Sequence, residues 1–64
     1  MNQYTVTVTL LDNTTTSYTV DLYTINNGIL NLFWNDANNF PTKIKFIALD
    51  RIDEVDIVYP SVNQ

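Results

Sequence analysis

Apolar and polar residues alternate without a break in Tyr4-Thr5-Val6-Thr7-Val8-Thr9-Leu10. A period of two puts every apolar side chain on one side of an extended chain and every threonine on the other, the mark of a half-buried β-strand. Residues 3 to 11 therefore form a first strand, and Asp12-Asn13-Thr14, with short side chains that bond nearby backbone, makes the turn after it. A second strand, roughly Thr16 to Ile25, carries Tyr18, Val20 and Leu22 on one face. Ile29 to Trp34 is a third. Lys43 to Ala48 is a fourth, with Ile44, Phe46 and Ala48 set against Lys43, Lys45 and Ile47. Leu49 to Ile52 has the look of a tight turn or one turn of 3₁₀ helix. Glu54 to Tyr59 is a fifth strand with Val55, Ile57 and Tyr59 inward; Pro60 stops it, and residues 61–64 read as a frayed tail.

Between the second and third strands lies Asn26-Asn27-Gly28, which holds the single glycine of the chain. Asn-Gly between apolar runs is a strong hairpin signal. A two-residue Asn27-Gly28 loop pairs Ile25 with Leu30 and Tyr23 with Leu32. A three-residue loop pairs Leu22 with Leu32 and Val20 with Trp34, and the one-residue slip between the two exchanges the faces. The three-residue loop is the expectation, because it joins Tyr18, Val20, Leu22, Leu32 and Trp34 to the face begun by Tyr4, Val6, Val8 and Leu10. Ile44, Phe46, Val55 and Ile57 complete that inward set.

The fold class is all-β: one domain over residues 1–64, with five short antiparallel strands forming a small barrel or a strongly twisted meander. The run from Phe46 through Leu49-Asp50-Arg51-Ile52 to Ile57 resembles the strand–3₁₀–strand closure of SH3-like and Sm-like small barrels. The resemblance covers about the last third of the chain and implies an architecture. Neither SH3 ligand-groove residues nor an Sm-type RNA-binding signature accompany it.

One inward face leaves Tyr23, Ile25, Ile29, Phe33, Ile47 and Val58 on the opposite side. A sheet with one wet face should be polar there. Phe33 beside Trp34 is the clearest case, since neighbours on a strand point opposite ways and one large aromatic must leave the main core. These six residues are the candidate interface, because contiguous exposed apolar surface marks interaction sites. The first strand, with no charge between Gln3 and Leu11, invites strand addition if it lies at a sheet edge.

Size sharpens this expectation. A chain of 64 residues buries only about 60% of its unfolded surface, and small domains draw extra stability from disulfides, metals or association. Cysteine and histidine are both absent, which removes disulfides and the usual zinc ligands. Self-association or another protein remains. Charge narrows the partner: the net charge is −4 and the cations are Lys43, Lys45 and Arg51 alone, too few for strong phosphate neutralisation. Nucleic-acid binding, with Lys43 and Lys45 beside stacking aromatics, is the weakest of the binding modes. No apolar run is long enough to cross a membrane as a helix, and Met1-Asn2-Gln3 starts no secretory signal, so a cytoplasmic protein is expected.

Two polar groups could carry binding. Asn35, Asp36, Asn38, Asn39 and Phe40 occupy the one sizeable loop, where amides could hold a peptide, a sugar or a nucleotide between subunits. Asp50, Asp53, Glu54 and Asp56 cluster near Arg51 as an acidic rim; their spacing is not that of an EF-hand, and a solvated turn or a rim for a basic partner fits them better than a metal site. Catalysis has little to work with. Histidine and cysteine are missing, Ser17 and Ser61 have no base partner, and one glycine cannot build a phosphate-cradling loop. No cofactor is implied. The expectation is a non-enzymatic interaction protein that forms a homo-oligomer and docks on another protein. Short, asparagine-rich chains of this kind are similar to small accessory proteins of bacteriophages and prophages, which implies inhibition of a host factor, including a defence system. A small-ligand-binding oligomer and a nucleic-acid-binding barrel are the alternatives.

Overall fold

The computed structural model describes residues 3–60. These residues are all-β, in two three-stranded antiparallel sheets. The strands are β1 (Tyr4–Leu10), β2 (Thr15–Val20), β3 (Leu22–Asn26), β4 (Ile29–Asn35), β5 (Pro41–Ala48) and β6 (Ile52–Val58), with one 3₁₀ turn at Leu49–Arg51 before β6. The first sheet has the order β2-β1-β6 and the second β3-β4-β5. The tail expected at residues 61–64 lies outside the described range.

Six strands replace the expected five because the second one breaks at Asp21. Val20 is fully buried, yet Leu22 is exposed, so the alternation slips by one residue at the corner. Hydrogen bonds hold that corner from both sheets. Asp21 N–H donates to the Phe33 carbonyl (3.0 Å), its Oδ2 accepts from Asn35 N–H (2.7 Å), and its Oδ1 accepts from the Gln3 amide (3.1 Å).

The slip changes the hairpin. The loop is the two-residue one: Asn26 pairs with Ile29, Ile25 with Leu30 and Tyr23 with Leu32. Asn27 (φ 51°) and Gly28 (φ 73°) both take left-handed backbone, which a two-residue hairpin of this twist demands and which Asn-Gly supplies at least strain. The three-residue register is thereby corrected, and the inner face of the second sheet becomes Tyr23, Ile25, Leu30, Leu32, Trp34 and Ile47. Leu22, Ile44 and Phe46, expected inward, lie outside.

The core sits between the two sheets. Val6, Val8 and Val20 from the first meet Leu30 and Leu32 from the second, all essentially without solvent contact, with Tyr4, Tyr18, Trp34, Val55 and Ile57 among those packed around them. Burying each such side chain is worth about 1.5–3 kcal/mol. β1 is central in its sheet, so the proposed edge is not there; β2 and β6 are the edges. Pro41 begins the edge strand β5, where its missing N–H costs no ladder bond, and Thr42 bulges out with its hydroxyl donating to the Trp34 carbonyl (3.0 Å). Among the described residues no helix is long and apolar enough to cross a membrane.

Candidate functional site

The outer face of the second sheet is built from three cross-strand rows: Leu22-Phe33-Ile44, Thr24-Asn31-Phe46 and Asn26-Ile29-Ala48. None of these nine residues is charged. Phe46 is 66% exposed, Leu22 and Ile44 each 45%, and Ile29 36%. Asn31 is the one buried polar residue among the described residues, and its amide donates within the face, to Thr24 Oγ1 (3.2 Å), Asn26 Oδ1 (3.3 Å) and the Ile29 carbonyl (3.4 Å). With those donors already engaged, covering the face strands little polar chemistry.

A groove of about 210 Å³ opens where β2 and β5 face each other without pairing. Val8, Leu10 and Tyr18 give it an apolar floor. Lys45, Phe46 and Arg51 stand on its rim, with Lys45 Nζ 5.9 Å from the centre of the Tyr18 ring. On the other side of the sandwich three tyrosines close the gap. The rings of Tyr4 and Tyr23 lie edge to face at 5.2 Å, those of Tyr4 and Tyr59 at 5.4 Å, and the Tyr23 and Tyr59 hydroxyls are 3.0 Å apart. The hydrogen bond to Tyr59 raises the Tyr23 pKa above its ordinary value, with loss of water contact adding to the effect.

The structure spreads the six candidate interface residues over three surfaces. Ile29 and Phe33 belong to the outer face of the second sheet. Tyr23 and Ile47 pack against the core, and Ile25 shares their face but is half exposed at the hairpin end. Val58 stands opposite Thr5 on the outer face of the first sheet, exposed. Ile44 and Phe46 were missed as surface residues because lysines occupy the inner positions of β5, and Leu22 because the alternation slips at Asp21. Lys43 lies over the Trp34 ring at 4.8 Å and Lys45 over Tyr18, so their stems cover aromatic faces while their ammonium groups reach water.

The asparagine-rich loop is closed on itself. Asp36 Oδ1 accepts from Asn38 N–H (2.8 Å) and Phe40 N–H (3.1 Å), Asn39 N–H donates back to the Asp36 carbonyl (3.0 Å), and Asn39 takes left-handed backbone (φ 65°). Asn35 gives its N–H to Asp21, and Phe40 is exposed. The acidic residues are also dispersed. Asp50 sits in the 3₁₀ turn, Asp53 bulges from β6, and Glu54 and Asp56 stand opposite Thr9 and Thr7. Among the described residues no cluster of three or more acidic groups could hold a metal ion. No family model, curated protein or solved structure matches the chain.

Proposed function

We propose that this protein is a non-enzymatic interaction module that pairs with a second copy through the outer face of its second sheet. The observation that carries the proposal is the charge-free apolar surface of Leu22, Ile29, Phe33, Ile44 and Phe46. Copies of a chain of net charge −4 repel one another, and a face without charged residues brings no like charges into contact when two copies meet. Covering it would add the apolar burial that a 64-residue core lacks. On this reading the two sheets, joined at Asp21 between β2 and β3 and by the 3₁₀ turn between β5 and β6, are halves of a small, partly open SH3-like barrel. The likeness to small bacteriophage accessory proteins adds a sense to the interaction: the pair masks a host protein rather than altering it chemically. A groove of about 210 Å³ falls below the range usual for small-molecule sites, which argues against the ligand-binding alternative.

Light scattering on a size-exclusion column tests the pairing. The native chain should run as a dimer. Ile44→Asp, at a half-exposed position outside the groove, should run as a monomer with unchanged circular dichroism. A native chain that stays monomeric at high concentration overturns the proposal.

A further inference from the structure

We propose that the groove between β2 and β5 takes an extended, carboxylate-bearing segment of another protein, which adds as a strand to the free edge of β2. The inference rests on the interaction-module reading; its groove shares Phe46 with the self-pairing face but not Ile44, and it names the chemistry of the partner.

Three observations support it. First, among the described residues β2 pairs with β1 on one side and with no strand on the other. The Trp34 indole N–H donates to the Thr19 carbonyl (2.8 Å), which shows that this carbonyl points away from β1. Antiparallel parity then turns the peptide groups of Ser17 and Thr15 outward too, leaving donors and acceptors at the spacing a guest strand needs. Second, that edge is unguarded. Thr15-Thr16-Ser17-Tyr18-Thr19-Val20 has no charge and no proline, whereas β5 across the groove carries Pro41, Lys43 and Lys45. Third, the charge at the groove is opposite to that of the molecule. Lys45 and Arg51, two of only three cations in an acidic chain, line this groove, and no acidic residue lines it; Arg51 also borders the neighbouring hollow of Leu10, Leu11 and Asp12. An apolar floor between two cations suits alternating apolar and acidic side chains, since neighbours on the guest strand would point to opposite sides.

The test uses two end-capped peptides about six residues long, the length of a common strand. One alternates valine with glutamate; the other has lysine in place of glutamate. Binding is followed by backbone amide NMR on the native chain and on Ile44→Asp. The acidic peptide should shift the Thr15 and Ser17 amides saturably in both proteins and bind about tenfold more tightly than the basic one, as expected for a few exposed charge pairs. Lys45→Glu combined with Arg51→Glu should reverse the preference. Equal binding of both peptides, binding of neither, shifts confined to β3 or β6, or displacement of the acidic peptide by oligothymidylate would each overturn the proposal. Because Ile44 lies outside the groove, failure of self-pairing and failure of peptide capture register separately.

Discussion

The two sheets share one core but present opposite exteriors. The first shows water a ladder of hydroxyls, with Thr7 and Ser17 oxygens 3.0 Å apart and Thr9 and Thr15 oxygens 3.3 Å apart, beside Glu54 and Asp56. The second shows leucine, isoleucine and phenylalanine in the same positions of an equally sized sheet. Both arise from the same period of two, so the backbone does not explain the contrast. The side chains do. Threonine satisfies both strand propensity and water, and the second sheet uses residues that satisfy only the first. That difference is what the proposed self-pairing rests on: a second copy would cover the exterior that water suits least.

The comparison can be broken most forcefully from the side the sheets share. Leu30→Ala should cost about 2–5 kcal/mol. A chain of this length holds about 3–10 kcal/mol in all, so most of the fold should be lost in urea titration. A loss no larger than at an exterior position would mean that the sheets do not share a core. Gly28→Ala should cost about 1–2 kcal/mol, since a methyl group meets open space there but the left-handed backbone strains it. A neutral result would argue for another hairpin register, and so for another exterior on the second sheet.

The tyrosine cluster joins the sheets at a titratable point. Its raised Tyr23 pKa means that the folded state favours the neutral phenol. That contribution is complete below the ordinary value of 10.0 and disappears as pH rises through the elevated one. Tyr59→Phe should return Tyr23 toward its ordinary titration, read by tyrosinate absorbance, and should flatten the alkaline loss of stability. The smallest effect belongs to the wet exterior. Thr7→Val should move stability within about 0.5 kcal/mol and leave the association state unaltered. If it drove association as strongly as the proposal assigns to the native second sheet, the contrast between the exteriors would have no functional content.

Much of this architecture is legible in the residues. The alternation of β1, the Asp12-Asn13-Thr14 turn and the 3₁₀ turn near Leu49 all follow from local chemistry, and each is present. The turn even holds the Asp12 carboxyl below its usual range through the Thr14 N–H. The exterior of the second sheet is not legible in the same way. Val20-Asp21-Leu22 reads as unbroken alternation, because the bonds that turn the chain at Asp21 come from Gln3, Phe33 and Asn35, far away in sequence. Lysines on β5 read as outward, because their use as covers for Trp34 and Tyr18 depends on which rings lie beneath them. The interface set taken from that alternation therefore mixes core packing (Tyr23, Ile47) with the outer face of the second sheet (Ile29 and the half-buried Phe33).

Asp21 consequently governs more than the position of a bend. A strand that continued straight past it would carry Leu22 inward and expose Tyr23, turning the hairpin over like a card. Three hydrogen bonds at one aspartate thus select which side of the neighbouring sheet meets water, so that a substitution there would change the outer surface as well as the stability.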